Sequence, residues 1–154
     1  MKRIFVLDEN VFIQSHTCRN IQNLEDDFES LGLIITILRK CHKIGLSCEL
    51  KKKYLEKTKT LENQNKITHA IRLWTQLLSR SDKNEFCDNE KRDIPKNIQH
   101  DKHVINPTLF LSGILVTTDI KLVKRLSKWI EKQKLKLQIM SPKEAVKYLE
   151  EYRE

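Results

Sequence analysis

Hydrophobic residues along the chain alternate between short continuous runs and longer stretches in which they recur at helical spacing. The continuous run at 4–7 is typical of a strand that is buried on both faces of a parallel sheet. Further short strands are predicted at 46–48, 114–118 and 135–140. The helical stretches lie between and after these runs, at 25–44, 50–79, 106–113, 120–132 and from 141 onward.

Strands that alternate with helices predict an α/β fold, in which right-handed crossovers build a parallel sheet and helices cover both of its faces. In the helix at 120–132, Leu122, Leu126 and Trp129 share one face and are expected to point inward. The pattern shows no internal repeat, so one sheet accounts for the whole chain.

Three helix ends carry recognisable signals. Gly45 follows the first helical stretch and predicts its C-terminal stop. Asn106 and Pro107 predict an N-cap and a first helical residue, since proline fits the first turn and breaks a helix interior. Ser141 and Glu144 have the spacing of a capping box, which predicts the start of the last helix.

The hydrophobic period disappears between residues 81 and 99, where polar residues dominate. This segment is predicted to be a mobile polar loop or insertion. Too little chain follows it to form a second core, so the prediction is a single domain over 1–154.

The charge balance points to polyanionic partners. The chain of 154 residues carries 29 Lys and Arg against 21 Asp and Glu, a formal charge of +8 with a pI of about 9.3. A domain this basic attracts polyanions, with nucleic acid as the first expectation and an anionic membrane surface as the second.

Membrane insertion and secretion are not expected. The longest apolar stretch, 31–38, is much shorter than the roughly 20 residues that span a bilayer, and the N-terminal apolar run stops at Asp8, too early for a signal peptide. The four cysteines are scattered, without the spacing of a zinc site or a disulfide framework. Reduced thiols and a cytoplasmic location are therefore predicted.

Polar residues that can bind metal follow the predicted strands. Asp8 and Asn10 follow the first strand, Glu49 follows the second, Asp119 follows the third, and Asp101 lies near the start of the helix before that strand. Ligands of parallel sheets bind at the carboxyl ends of the strands. Each acid by itself is equally explained as a helix cap or a surface residue. Their convergence on one edge predicts a Mg²⁺ or Mn²⁺ site, because these ions prefer oxygen ligands.

The segments IFVLDENVF and HDKHVINPTLFLSGILVTTDIKL resemble the two hallmark regions of PIN-domain ribonucleases. The resemblance implies a three-layer α/β/α sandwich with a central parallel sheet of four to five strands. It also implies metal-dependent cleavage of single-stranded RNA that leaves 3′-hydroxyl and 5′-phosphate ends. By this likeness Asp8, Asp101 and Asp119 match the metal-binding carboxylates. Asn10 and Thr117 would help to hold the first aspartate and its water.

Two positions depart from the family pattern. Lys53 stands where relatives usually carry a glutamate in the helix after the second strand, and Glu49, one turn earlier on the same face, is its expected substitute. Lys121 stands where many relatives carry a second acid after Asp119. The two ammonium groups can weaken metal binding or hold phosphate.

Two strongly basic runs, at 50–80 and 120–136, begin directly after candidate site acids. Such runs are also ordinary for solvated helix faces. Placed beside the site, they are expected to bind RNA phosphates and to make binding sensitive to salt. The residues expected to contact RNA are Lys51, Lys52, Lys53, Lys121, Lys124 and Arg125.

The function predicted first is a metal-dependent endoribonuclease acting on single-stranded RNA, with Asp8, Glu49, Asp101 and Asp119 as catalytic residues. The alternative, which Lys53 and Lys121 favour, is a degenerate module that binds RNA or protein without cleaving. A phosphohydrolase with Asp8 as nucleophile is a third reading, and Asn10 argues against it because such enzymes use a second aspartate there. A homodimer, or an antitoxin-like protein if the chain is a toxin of that family, is a further possible partner.

Overall fold

The computed structural model describes residues 2–20, 23, 25–64 and 68–151. Within them the strands are β1 (Ile4–Leu7), β2 (Lys43–Leu46), β3 (Asn84–Phe86), β4 (Ile114–Val116) and β5 (Gln138–Met140). The helices are α1 (Glu9–Thr17), α2 (Glu29–Arg39), α3 (Cys48–Asn63), α4 (His69–Ser79), α5 (Lys102–Phe110), α6 (Ile120–Gln133) and α7 (Pro142–Glu151). Short 3₁₀ segments lie at Ser81–Lys83 and Lys96–Asp101.

The strands form one sheet in the order β3-β2-β1-β4-β5, and every neighbouring pair is parallel. With the helices that flank it, the sheet forms the α/β architecture that the sequence predicted, consistent with a three-layer α/β/α sandwich. The central strand β1 is apolar and almost completely buried. Because all strands run the same way, their carboxyl ends lie along one edge, where β1 ends next to β2 and β4.

Several local predictions are confirmed. β1 has the expected bounds, and Leu122, Leu126 and Trp129 of α6 are buried. The capping box at the start of α7 is present: the Glu144 N–H donates to Ser141 Oγ over 3.1 Å, and the Ser141 N–H donates to Glu144 Oε1 over 3.3 Å. These signals are local, so the surrounding structure had little influence on them.

The prediction that Gly45 ends a helix is wrong. α2 ends at Arg39, and Gly45 lies inside β2. A Cβ atom at this position would lie 2.9 Å from Val6 Cγ2 and 3.1 Å from Ile4 Cγ2. Glycine is therefore needed because the side chains of β1 and β2 pack closely there, and not for a helix stop.

The predicted helix at 50–79 is two helices, α3 and α4, while residues 65–67 lie outside the described residues. α3 also begins earlier than predicted, at Cys48, so that the second strand is 43–46 and not 46–48. Its N-cap is Ser47, whose Oγ accepts the Leu50 N–H over 3.1 Å. The Ser47 cap explains the early start.

α5 begins at Lys102 and not near Asn106, so Pro107 lies inside the helix. Proline has no N–H, which leaves the carbonyl of His103, four residues earlier, without its helical donor. The Ser47 hydroxyl donates to this carbonyl over 3.0 Å. A hydrogen bond from another element thus permits a proline that sequence rules place at a helix start.

The segment 81–99 is predominantly polar, as predicted, but it contributes to the fold. It contains β3, an edge strand of three half-exposed or exposed residues, which is too short to show a hydrophobic period. It also contains Lys83, whose ammonium is buried and donates to the carbonyls of Ile37, Lys40 and His42. Lys83 therefore binds the C-terminal end of α2 and anchors the segment.

Across the described parts of the chain, none of the helices combines the length and the apolar character needed to cross a lipid bilayer.

The Ser47 and Pro107 pair is predicted to be energetically coupled. Ser47→Ala should lower the free energy of unfolding by about 2 kcal/mol, because α3 loses a cap and the His103 carbonyl loses its donor. In a Pro107→Ala background the new N–H can bond that carbonyl, so the cost of Ser47→Ala should fall by about 1 kcal/mol. Urea unfolding of the four proteins measures this coupling.

The control background for this cycle is Pro95→Ala, because Pro95 lies outside the α-helices. There the full cost of Ser47→Ala should remain. If Ser47→Ala lowered the free energy of unfolding equally in the Pro107→Ala and Pro95→Ala backgrounds, the restored backbone N–H at position 107 would not be replacing the Ser47 hydroxyl as the donor, which would contradict the prediction.

Candidate functional site

Asp8 is the first residue after β1 and is 4% exposed. Its N–H donates to the Val116 carbonyl over 3.0 Å, which extends the pairing of β1 with β4 by one residue. Its Oδ1 accepts the Glu9 N–H over 2.8 Å, so Asp8 also caps α1. The Asp8 side chain is therefore both a helix cap and a candidate site residue.

Thr117, the first residue after β4, connects two of the predicted site aspartates. Its hydroxyl donates to Asp8 Oδ2 over 2.8 Å and accepts the Asp119 N–H over 3.1 Å. Asp119 caps α6 by accepting the N–H groups of Lys121 and Leu122 at its Oδ1. The residue pattern after β4 thus fixes Asp119 relative to Asp8, as the resemblance implied for Thr117.

Glu9 and His103 join Asp8 in a compact group. The His103 Nε2 lies 2.6 Å from Glu9 Oε1, and one ligand atom each from Asp8, Glu9 and His103 all lie within 4.8 Å of one another. We call these three residues the Asp8 cluster. The Lys53 ammonium approaches it, with Nζ 3.9 Å from Glu9 Oε1.

Sequence reasoning missed Glu9 and His103 as site residues. Glu9 looks like an ordinary first-turn acid beside Asp8, and His103 looks like an exposed residue if the helix begins at Asn106. Because α5 begins at Lys102, His103 instead lies in the first turn and is 3% exposed. The signal that could have placed His103 in the site is Pro107, if that proline had been recognised as lying inside the helix and not at its start.

Asp101 lies at the start of α5, with a side chain that is 14% exposed and with Oδ2 3.1 Å from the Nε2 of the exposed His100. Burial raises the pKa of Asp101, the two nearby histidines lower it, and the charges of Glu9 and Asp119 raise it again. Asp101 is outside the 4.8 Å set, as is Asp119. Its charge nevertheless interacts with both neighbouring acids, so it belongs to the same electrostatic site.

The two acids of the Asp8 cluster have opposite pKa shifts. Burial raises the pKa of Asp8 well above its ordinary value, and the hydrogen bond and charge of Glu9 raise it further. Burial also acts to raise the pKa of Glu9, but hydrogen bonds from His103 and Asp8 outweigh it and lower that pKa well below its usual range. Of the two carboxyl groups, Asp8 is therefore the one that binds a proton more readily.

The remaining predicted site residues lie nearby in different surroundings. Asn10 is half-buried in the first turn of α1. Glu49 is exposed in the first turn of α3 and, together with His103 and Asp88, lines a cavity of about 210 Å³. Among the described residues, the acid that joins the Asp8 cluster is Glu9 and not Glu49.

The predicted RNA-contacting residues lie on the first halves of α3 and α6, the two helices that begin at the carboxyl edge of β2 and β4. Lys51 is half-buried with its Nζ 5.4 Å from the centre of the Phe86 ring. Arg125 is exposed and donates to the Asn97 carbonyl over 3.4 Å. Lys52, Lys121 and Lys124 are exposed. These cations lie on the two helices that follow β2 and β4, and their contact with RNA stays a prediction.

A larger groove of about 640 Å³ opens beside Asp119, lined by its neighbours Thr118 and Ile120. Phe28, 63% exposed, provides an aromatic surface in this groove, and Asp26 lies beside it. Asp26, Asp27 and Glu29 also line the groove with one lysine, Lys143, so its charge is negative, while the exposed Phe28 ring is a surface of the kind on which a base can stack.

No family model matches the chain, and no curated protein matches its sequence. The likeness to PIN-domain ribonucleases therefore stays a prediction that rests on the two short motifs.

Lys53 is predicted to weaken cation binding at the Asp8 cluster. Lys53→Gln should tighten Mn²⁺ binding about tenfold, because one unit charge at about 6 Å from a divalent ion in near-aqueous surroundings is worth about 1.4 kcal/mol. Calorimetric titration with Mn²⁺ measures the change. The matched control is Lys52→Gln, which removes the same charge from an exposed neighbouring position. Equal affinities of the two variants would contradict an effect of Lys53 on the cluster.

Proposed function

We propose that this protein is a divalent-metal-dependent endoribonuclease that cleaves single-stranded RNA. The observation that supports the proposal most is the buried Asp8, whose carboxylate accepts the Thr117 hydroxyl and lies near the charges of Glu9 and Asp101. A buried acid with partly buried acidic neighbours, in a chain of formal charge +8, is the arrangement expected for an enzyme that brings a cation to a polyanion.

The residues present fit a divalent ion. One ligand atom each of Asp8, Glu9 and His103 lies within 4.8 Å of the others, and a cation there would reduce the repulsion between the two carboxylates. Asp8 and Glu9 would hold the ion, with the charges of Asp101 and Asp119 near it, and Mg²⁺ or Mn²⁺ suits these oxygen ligands. When bound, the ion supplies charge stabilisation at the phosphodiester and a water of lowered pKa.

The chain's own residues orient the site and the substrate. Thr117 keeps Asp8 Oδ2 in place through its hydroxyl and holds the backbone of Asp119 at the same time. The lysines and arginine of α3 and α6 attract the RNA backbone toward the acidic edge. Single-stranded RNA fits better than a duplex, because the Phe28 groove offers a surface on which an unpaired base can stack.

One observation favours the second candidate, a module that binds RNA or protein without cleaving it. Lys53 Nζ lies 3.9 Å from Glu9 Oε1, so a protein cation already balances part of the negative charge. A site neutralised by its own lysine has less need of a metal ion. Measuring cleavage and metal binding together separates the two candidates.

The cleavage test uses end-labelled single-stranded RNA with Mn²⁺ or with a chelator. Asp8→Asn and Asp119→Asn should each lower the cleavage rate at least about 100-fold, since each removes a carboxylate from the proposed metal site. The control is Asp82→Asn, an exposed acid that pairs with Arg80 outside the site. Its cleavage rate should equal that of the wild type.

The outcomes separate the candidates. RNA binding without cleavage, unchanged by Mn²⁺, would favour the non-cleaving module. Cleavage that survives both the chelator and Asp119→Asn would reject the proposed mechanism.

A further inference from the structure

The Asp8 cluster differs from a site built only of carboxylates because it contains an imidazole. We propose that His103 Nε2 is a metal ligand together with Asp8 and Glu9, and that it makes the site prefer Mn²⁺ to Mg²⁺. This inference rests on the proposed function for the presence of a metal, and it deepens that function by naming the ion and the ligand that selects it.

The geometry is close to that of a first coordination shell. The three ligand atoms lie within 4.8 Å of one another, and Nε2 lies 2.6 Å from Glu9 Oε1. Two ligands at right angles on an ion with bonds of about 2.1 Å lie about 3 Å apart. The glutamate and the imidazole therefore need to separate by only a few tenths of an ångström to bind one ion.

His103 is held in position by the fold. Its side chain is 2% exposed, and its carbonyl, freed by Pro107, accepts the Ser47 hydroxyl. The α5 backbone is thereby tied to the end of β2 at the residue that faces Glu9. A ligand fixed in this way loses little conformational entropy when the ion binds.

The second ring nitrogen of His103 is not engaged by another described residue. His103 Nδ1 is buried and has no hydrogen-bond partner among the described residues. Coordination through Nε2 places the ring proton on Nδ1, and metal-bound histidines usually donate this proton. No described residue at Nδ1 therefore fixes the ring in a tautomer that would prevent Nε2 from binding an ion.

The chemical types of the ligands determine which ion the site prefers. Mg²⁺ is a hard ion that binds oxygen and keeps most of its waters, so it gains little from an imidazole. Imidazole nitrogen favours transition ions, whereas carboxylates accept both Mg²⁺ and Mn²⁺. One nitrogen among carboxylates therefore raises the affinity for Mn²⁺ relative to Mg²⁺.

The first test measures ion binding to the protein without RNA. Calorimetric titrations with Mn²⁺ and with Mg²⁺ should show Mn²⁺ binding at least about tenfold more tightly in the wild type. His103→Gln should reduce the difference to about threefold or less. The matched control is His69→Gln, which removes an exposed histidine at the start of α4 and should keep the wild-type preference. Equal affinities for the two ions in the wild type would overturn the proposal.

The second test needs no substitution and so does not depend on how His103→Gln folds. Electron spin echo modulation of Mn²⁺ bound to the wild-type protein should show coupling to a nitrogen nucleus, which a carboxylate-only shell does not give. A spectrum without nitrogen coupling, or an absence of Mn²⁺ binding, would overturn the proposal. Nitrogen coupling in a protein that does not cleave RNA would uphold the ligand assignment and reject the proposed function. Cleavage of RNA by a protein whose bound Mn²⁺ shows no nitrogen coupling would uphold the proposed function and reject His103 as a metal ligand.

Discussion

The parallel pairing of β1 with β4 is the constraint on which the candidate site depends. The two strands end side by side, and the Asp8 N–H continues their ladder by donating to the Val116 carbonyl. The next residue of β4, Thr117, therefore lies within hydrogen-bond distance of the Asp8 carboxylate and of the Asp119 backbone. Residues separated by more than 100 positions meet because a sheet register, and not a flexible loop, brings them together.

A second constraint explains the unexpected member of the site. Pro107 removes the helical donor of the His103 carbonyl, and Ser47 replaces it while also capping α3. One hydroxyl thus connects the ends of two helices beside β2. Since a buried carbonyl without a donor is costly, this connection fixes where α5 begins and hence where the imidazole of His103 lies. The position of the metal-binding candidate follows from satisfying backbone hydrogen bonds.

The sequence predicted the features that depend on local pattern or on topology. The parallel sheet, the burial of α6 and the capping box of Ser141 follow from the residue pattern, whereas the contact of Thr117 with Asp8 was implied only by the resemblance to PIN-domain ribonucleases. The sequence did not predict features for which tertiary contacts outweigh the local pattern. Gly45 is required by close packing against Val6, Pro107 is permitted by Ser47, and β3 is an edge strand too short for a hydrophobic period. Glu9 was missed for a related reason, because adjacent acids in a sequence do not reveal which one a distant histidine contacts.

The balance of charge in the Asp8 cluster connects the fold to the choice between candidate functions. Burial and the neighbouring Glu9 raise the pKa of Asp8, whereas hydrogen bonds from His103 and Asp8 outweigh burial and lower the pKa of Glu9. The Lys53 ammonium, 3.9 Å from Glu9 Oε1, also balances part of the negative charge. A cation that enters the cluster must therefore compete with the partners that already stabilise these carboxylates. A site of this kind gains from a ligand that contributes binding energy without adding negative charge. An imidazole ligand has that property, whereas a further carboxylate would add to the negative charge of the cluster.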